Sequence, residues 1–275
     1  MNNECTHDCS TCSKNCESRK NEPESFLSPC NDMSKVGKVI GIVSGKGGVG
    51  KSLVTSLLAA ATAKKGFKIA VLDADITGPS IPAAFGITTK AEAGDYGLYP
   101  VKSTGGISVM SINLLLDKTD DPVVWRGPVV AGAVKQFWSD VVWGDVDYMY
   151  VDMPPGTGDV PLTVFQSIPI DGVVVVASPQ DVVGMIVEKA VNMAKMMNVP
   201  ILAIVENMSH FKCPDCGSIH RIFGDGNAQS IAKKHNIESV FSLPIDPKFA
   251  LAVDSGKIED VSCRELDELV KMLTA

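Results

Sequence analysis

The segment 45–52 reads GKGGVGKS and restricts the fold of this chain more than any other part of the sequence. Its Gly-x4-Gly-Lys-Ser spacing is typical of a loop whose backbone N–H groups wrap around phosphate oxygens at the positive end of a helix. The preceding residues 38–43 (KVIGIV) have the apolar character of a buried strand, and residues 52–65 (SLVTSLLAAATAKK) have the composition of a helix. The sequence therefore predicts a strand, a phosphate-binding loop and a helix, in that order.

The segment 45–52 is called the phosphate loop below. Two lysines and a serine in it are candidates for binding nucleotide phosphates and Mg²⁺. In such loops the lysine before the serine reaches the β- and γ-phosphates, and the serine hydroxyl binds Mg²⁺. These roles fall to Lys51 and Ser52. Lys46 is a second lysine, additional to the usual pattern. We predict that all eight residues of the loop bind nucleotide: Gly45, Lys46, Gly47, Gly48, Val49, Gly50, Lys51 and Ser52.

Apolar runs alternate with helical patterns along the rest of the chain. Continuous apolar runs suit strands that are buried on both faces of a sheet, and their alternation with helices favours parallel pairing. We predict an α/β fold, doubly wound, with a mainly parallel sheet and helices on both faces. The predicted strands are 38–43, 68–72, 107–112, 148–151, 172–177, 201–205 and 240–243, and the predicted helices are 52–65, 129–142, 182–197, 227–235 and 263–273.

Acidic residues follow two of the predicted strands. Asp73 and Asp75 come after 68–72, and Asp152 comes after 148–151. Ligands of parallel sheets bind beyond the carboxyl ends of strands, and phosphoryl-transfer sites use carboxylates there to hold Mg²⁺ and to orient the attacking water. We assign Asp152 to the Mg²⁺ shell and Asp75 to the water. The alternative is that strand-end aspartates only cap the following turns.

Net charge and hydrophobicity indicate whether the chain is suited to bind nucleic acid or a membrane. The 275 residues carry a net charge of −7 with a pI of about 5.1, and no run of Lys or Arg stands out. We therefore expect binding neither to nucleic acid nor to a membrane. No segment approaches the roughly 20 apolar residues of a membrane span. Because the first residues, MNNECTHDCSTCSKNC, are polar and unlike a signal peptide, we expect a cytoplasmic protein.

Cysteines in a cytoplasmic chain of this size indicate metal or redox chemistry more than structural disulfides. Cys213 and Cys216 form the motif CPDCG, for which three chemistries compete. A redox dithiol belongs at the start of a helix, whereas Gly217 follows here. A zinc site would need a further ligand such as His210 or His220. An iron–sulfur cluster typically needs four thiolates, which two copies of the chain supply together across a dimer axis. The sequence leaves iron and zinc open.

Residues 1–36 are polar and show neither helical nor strand periodicity, which predicts a flexible arm before a globular domain at 37–275. Four cysteines of the arm lie close together in the sequence. Four thiols are enough for a cluster or a zinc ion within one chain. The candidate ligands of this second site are Cys5, Cys9, Cys12 and Cys16.

Several motifs together resemble a known family. Lys46 in the phosphate loop, DADITGPS at 73–80 and VDMPPGTGD at 151–159 are similar to the deviant phosphate-loop ATPases related to MinD, ParA and the nitrogenase iron protein. Within them the chain is most similar to the Mrp/ApbC iron–sulfur cluster carriers, and the resemblance covers nearly everything from residue 38. The narrower resemblance rests on SPQDV at 178–182, ENMS at 206–209, CPDCG at 213–217, IFGDG at 222–226 and LPID at 243–246.

The resemblance implies roles for individual residues. In this family the early lysine crosses a dimer interface to the partner's nucleotide, so Lys46 is expected to do so, as a second cation near the γ-phosphate. Asn207 is expected to contact the adenine, the alternative being an Asx turn. The cysteine spacing of the arm differs from that of eukaryotic relatives with N-terminal clusters, in which the cysteines are more widely spaced. The catalytic residues implied are Lys46, Lys51, Asp75 and Asp152.

The resemblance also implies a function. It implies a homodimeric carrier that hydrolyses ATP slowly, holds a labile 4Fe-4S cluster between two copies of Cys213 and Cys216, and transfers it to apo iron–sulfur proteins. The cofactors would be ATP, Mg²⁺ and the cluster.

Two other functions compete with the carrier. A MinD- or ParA-like positioning ATPase needs a basic or membrane-binding surface, whereas the helix 263–273 is acidic on its polar side and is expected to pack on the sheet. A reductase resembling the nitrogenase iron protein would take its ligands from two separated positions. The Cys-x2-Cys spacing therefore favours the carrier.

Overall fold

The computed structural model describes residues 27–76, 78–116, 127–180 and 185–275. The arm cysteines Cys5, Cys9, Cys12 and Cys16 lie outside these residues, so the site predicted for them stays a prediction.

The strands form where the chain is apolar on both faces, as the sequence predicts. Several are buried along their whole length, such as the segment GVVVVA. The strands are β1 (Lys35–Ser44), β2 (Ile69–Asp73), β3 (Glu92–Gly94), β4 (Gly97–Tyr99), β5 (Val101–Lys102), β6 (Ser108–Met110), β7 (Asp145–Asp152), β8 (Gly172–Ala177), β9 (Ile201–Lys212), β10 (Ile219–His220) and β11 (Val240–Pro244).

Helices connect most of the parallel strands. The predicted helix at 263–273 begins later than expected, because residues 264–266 form a turn of 3₁₀ helix first. The α-helices are α1 (Lys51–Ala63), α2 (Ile81–Ala84), α3 (Gly127–Ser139), α4 (Asp159–Ser167), α5 (Met185–Met196), α6 (Ala228–His235), α7 (Pro247–Asp254) and α8 (Asp267–Leu273).

The main sheet has the strand order β10-β9-β8-β1-β7-β2-β6-β5, with β11 also paired to β9. Its central pairs are parallel, and β5 with β6 and β10 with β9 are antiparallel. The strand β1 lies between β7 and β8, so the connections that leave β1 and β7 both cross a neighbouring strand. Ligands of such sheets bind at this reversal of strand order, and the phosphate loop follows β1 there.

Two apolar cores cover the two faces of the sheet, which confirms the predicted doubly wound architecture. One core contains Trp138 of α3, Phe165 of α4 and Val191 of α5. The other contains Leu58 of α1 and Leu269 of α8. The acidic C-terminal helix therefore packs its apolar side on the sheet, as predicted. No helix in the described part of the chain has the length and apolar character needed to cross a membrane.

The folded part of the chain extends N-terminally of the predicted boundary at residue 37. The strand β1 already begins at Lys35. Before it, the backbone of Ser28 pairs with Ser167 of α4 (2.9 Å), and the indole of Trp138 donates to the Ser28 carbonyl (2.9 Å). Ser28 is thus held against α3 and α4.

Candidate nucleotide and cluster sites

The phosphate loop lies between the end of β1 and the start of α1. Gly48 and Gly50 have φ of +79° and +82°, a backbone conformation that favours glycine. A Cβ on Gly50 would also clash with the side-chain amide of Asn207. The loop is closed at its base by the Ser44 hydroxyl, which donates to the Lys46 carbonyl (2.9 Å). The segment therefore has the predicted order of strand, glycine-rich loop and helix.

A cavity of about 310 Å³ opens above the loop. It brings together three motifs that are distant in the sequence, because each follows the carboxyl end of a central strand. Asp75 and Ser80 come from the segment after β2, and Pro155 comes from the segment after β7. Lys46, Gly47, Gly48, Gly50, Lys51 and Ser52 of the loop line the rest, together with Ser44 and Leu53.

Asp152, the last residue of β7, is fully buried and has three partners on the first turn of α1. Ser52 donates to Oδ2 of the carboxylate (2.6 Å). Thr55 donates to Oδ1 (2.8 Å), and the ammonium nitrogen of Lys51 lies 2.8 Å from the same oxygen. The hydroxyl and carboxylate oxygens of Ser52 and Asp152 are hard ligands of the kind that Mg²⁺ takes, and they lie side by side.

Lys51 is the most deeply buried of the charged groups that line this cavity, which also include Lys46 and Asp75. It is 6% exposed, and its ammonium lies 3.7 Å from Asp75 and 2.8 Å from Asp152. Despite these ion contacts, the ammonium makes no well-aligned hydrogen bond with any residue that the structure describes. A buried cation beside a glycine-rich loop at the start of a helix fits a phosphate group.

Asp73 hydrogen-bonds to the turn that follows β2. This is the alternative role considered above for aspartates at strand ends. Its carboxylate accepts from the Ser111 hydroxyl (3.1 Å) and from the backbone N–H groups of Asp75 (3.2 Å) and Ile81 (3.4 Å). Burial, with the nearby charge of Asp152 adding to it, raises the pKa of Asp73 well above its ordinary value. Asp73 thus orders the segment that carries Asp75.

Asn207 lies under the phosphate loop. Its side chain is 2% exposed, donates to the Val49 carbonyl (2.9 Å) and accepts from the N–H of Met208 (2.9 Å). The structure thus gives Asn207 a part in supporting the loop that the sequence did not indicate. Its contact with adenine stays a prediction.

Cys213 and Cys216 lie on an exposed hairpin at the end of β9. The hairpin, called the cysteine hairpin below, comprises the end of β9, residues 213–218 and β10. Backbone bonds from Cys213 to Ser218 and from Gly217 to Cys213 (both 2.9 Å) close its turn. The Cys216 thiol lies 3.2 Å from the Ser218 hydroxyl, and hydrogen bonds that the hydroxyl and backbone of Ser218 offer to the thiolate lower the pKa of Cys216. An exposed thiol of lowered pKa is suited to ligate a metal.

The two histidines that the zinc hypothesis needs do not complete a site with these cysteines. Within the described ranges, no group of three or more His, Cys, Asp or Glu side chains is arranged to hold a metal ion. His210 instead has its ring Nδ1 2.8 Å from the Ser209 hydroxyl. The described part of one chain therefore offers two thiol ligands at this hairpin.

Thr55 is a site residue that sequence reasoning missed, as are Ser44 and Leu53 of the cavity lining. A signal was available, because Thr55 follows Lys51 by four residues and so lies on the same face of α1. The role of Asn207 in holding the loop had no such signal, since β9 is far from the phosphate loop in the sequence.

This fold and this site together define a P-loop nucleoside triphosphatase with the architecture of MinD. A MinD cell division protein from Aquifex aeolicus shares the fold, with a TM-score of 0.59 at 20% identity over 86% of this chain and 96% of that one. A family model described as "ParA: NUBPL iron-transfer P-loop NTPase" matches residues 35–274. The chain belongs to this family of iron-transfer P-loop NTPases.

Individual relatives are similar over most of their length. An iron–sulfur cluster carrier protein of Methanocaldococcus jannaschii is 46% identical over 98% of this chain and 95% of its own. One of Clostridium perfringens is 47% identical over 81% of each chain. A nucleotide-binding protein of Archaeoglobus fulgidus, solved in complex with ADP, has a TM-score of 0.77 and 43% identity, covering 84% of this chain and 91% of that one.

Proposed function

We propose that this protein is an ATP-dependent iron–sulfur cluster carrier that transfers its cluster to apo-proteins. One observation carries the proposal: the same strand, β9, supports the phosphate loop through Asn207 and ends in the exposed cysteine hairpin. A cluster held at an exposed hairpin is accessible to a recipient protein. The names of the relatives and the family agree with this function.

The cluster site is formed by two copies of the chain. Each hairpin supplies Cys213 and Cys216, and an iron–sulfur cluster typically takes four thiolates. A twofold axis between the hairpins gives four ligands in a symmetric site, which suits a cluster of the 4Fe-4S type. A labile cluster is the cargo of such a dimer, and the lack of additional protein ligands makes it transferable.

The nucleotide site follows the roles assigned above. Lys51 binds the β- and γ-phosphates, Ser52 and Asp152 hold Mg²⁺, and Asp75 orients the attacking water. Lys46 lines the same cavity and contributes its charge to the nucleotide of the partner subunit. ATP binding or hydrolysis changes the dimer contact and hence the retention of the cluster.

Reconstitution with iron and sulfide under anaerobic conditions tests the cluster site. The wild-type chain is expected to show thiolate-to-iron absorption and matching iron and sulfide content, and a variant with Cys213→Ala and Cys216→Ala is expected to lose both. Cys30→Ala is the matched control, because the Cys30 thiol is half-buried against α3, where it donates to the Trp138 carbonyl. Because the arm cysteines can also bind a cluster, the comparison is repeated with Cys5, Cys9, Cys12 and Cys16 replaced by alanine. Unchanged iron and absorption in the double variant on that background would reject the assignment.

Two alternative functions have less support. A positioning ATPase would need a lipid- or DNA-binding surface, whereas the apolar side of α8 is buried in the core. An electron-donating reductase would keep its iron while it transfers electrons. ATP-dependent reduction of an acceptor without loss of iron would favour the reductase over the carrier.

A further inference from the structure

A bulge interrupts β9 between the phosphate loop and the cysteine hairpin. Residues 242 and 244 of β11 pair with residues 206 and 210 of β9, so two residues of one strand span four of the other. Met208 lies within this bulge with φ of +56°. A left-handed backbone is rare for a residue other than Gly, Asn or Asp, and it persists only where the surrounding contacts hold it.

The bulge places two consecutive side chains against the phosphate loop. In a regular strand, successive side chains point to opposite faces. Here the Asn207 amide donates to the Val49 carbonyl (2.9 Å) and would clash with a Cβ on Gly50, and the Met208 methyl group lies 4.0 Å from that same Cβ position. The left-handed backbone of Met208 therefore directly follows the residue that joins β9 to Val49 and Gly50 of the loop.

The return path of the cysteine hairpin is fixed to the same point of β9. Glu206, which is 8% exposed, accepts from the N–H of Ala228 at the start of α6 (3.4 Å). A Cβ on Gly226 would clash with the Glu206 carboxylate, so the segment between β10 and α6 lies directly against it. Glu206 thus contacts the segment that follows the hairpin, and Cys213 lies six residues after Asn207, directly beyond the end of β9.

We propose that Met208 is a positioning residue that couples occupancy of the phosphate loop to the position and reactivity of Cys213 and Cys216. The left-handed conformation is intrinsically disfavoured, and it directly follows Asn207, which is bonded to Val49 and lies against Gly50. When phosphate binds and those residues move, the balance between left-handed and extended Met208 changes, and the direction of the distal part of β9 changes with it. This inference rests on the proposed function, because it gives the route by which nucleotide affects the cluster ligands.

The test measures the alkylation rates of Cys213 and Cys216 in the reduced, cluster-free full chain by mass spectrometry of the peptide that contains them. Adding a non-hydrolysable ATP analogue with Mg²⁺ is expected to change these rates about fivefold or more in the wild-type chain. Met208→Val is expected to reduce this effect to less than about twofold, since a β-branched residue resists the left-handed conformation. Met208→Asn is expected to retain it, because Asn tolerates that conformation.

Two results would overturn the proposal: a full nucleotide effect in Met208→Val, or an equal loss in Met208→Asn and Met208→Val. Should Met208→Val not fold, hydrogen exchange of the wild-type chain decides the question. The analogue is then expected to alter the exchange of amides at 209–220, and unchanged exchange there with a protected phosphate loop would overturn the proposal. Cluster reconstitution of the same wild-type preparation tests the proposed function separately, since the alkylation result needs no cluster.

Discussion

At the scale of single residues, the nucleotide site depends on how Asp152 is held. Its carboxylate is fully buried, and Lys51, Ser52 and Thr55 approach it from one turn of α1. A buried carboxylate is stable only when its oxygens are paired, so these contacts join the end of β7 to the start of α1. The same contacts place the hydroxyl and carboxylate groups that are proposed to hold Mg²⁺.

Replacing Thr55 tests this arrangement. In Thr55→Val the Oδ1 atom of Asp152 loses a hydrogen bond of 2.8 Å in a buried setting, so the free energy of unfolding is expected to fall by about 1–2 kcal/mol. ATP turnover is expected to fall about tenfold, because the carboxylate is less firmly oriented. Thr55→Ser keeps the hydroxyl and is the control, to be compared by urea unfolding and by phosphate release. Equal losses in both variants would contradict the role of the hydroxyl.

Asp73 predicts a pH dependence of stability. Burial raises its pKa in the folded chain above the unfolded value, so the folded state binds more protons between the two pKa values. The contribution of Asp73 to stability is therefore present below the unfolded pKa and is lost as pH rises through the folded pKa. The free energy of unfolding of wild type relative to Asp73→Asn is expected to decrease as pH rises from about 4. Urea unfolding at several pH values measures this difference, and a difference that grows with pH would be the opposite result.

At the scale of elements, the short amphipathic helix α8 packs its apolar side against the sheet. Its residues Leu269, Val270 and Leu273 are 0%, 1% and 4% exposed, and they close one core of the sheet. The acidic side of the helix faces outward. The element therefore stabilises the domain and leaves no apolar face for a lipid surface.

Truncating one apolar residue of α8 measures that contribution. Leu269→Ala is expected to lower the free energy of unfolding by about 2–5 kcal/mol, because it opens a cavity at a fully buried position. Met272→Ala on the same helix is the matched control, since Met272 is 38% exposed, and it is expected to change stability by less than about 0.5 kcal/mol. Denaturant titration of both variants makes the comparison. Equal effects would mean that the helix is held by something other than its apolar side.

At the scale of the whole molecule, the nucleotide cavity and the cysteine hairpin follow the carboxyl ends of strands in the same sheet. The hairpin extends beyond this edge because β9 is twelve residues long and continues past its parallel neighbours. A dimer formed at this edge would bring two hairpins and two phosphate loops into one contact. The proposed roles of Lys46 and of Cys213 and Cys216 therefore depend on one interface.

Mixed dimers test the role of Lys46. Lys46→Ala is expected to lower ATP turnover at least about a thousandfold, as loss of an arginine finger does, with a smaller change in ATP affinity. Asp152→Asn is expected to be inactive for a different reason, because it removes a Mg²⁺ ligand in its own chain. After dissociation and random mixing of the two variants, turnover is expected to return to about a quarter of wild type, since half of the dimers then contain one complete site. A mixture that stays inactive would contradict action across the interface.

The order of strands and helices could be predicted from the sequence, because it depends on local motifs and on the periodicity of apolar residues. The GKGGVGKS segment has a required backbone geometry, and the buried strands are continuous apolar runs that predict β8 at its observed bounds and the inner parts of β1 and β7. The hairpin end of β9 was missed, because SHFK at 209–212 is polar and its strand conformation comes from pairing with β10 and β11.

The sequence by itself determined the phosphate loop, the alternation of strand and helix, and the candidate residues at the strand ends. Only the tertiary structure decided which of those aspartates face the cavity, because Asp73 and Asp75 differ in burial and partners and not in sequence pattern. It also decided that Asn207 supports the loop, since its hydrogen bond to Val49 joins residues 158 positions apart. A sequence motif reflects the local backbone geometry of its own residues. Contacts between distant segments form only when the sheet brings its strand ends together.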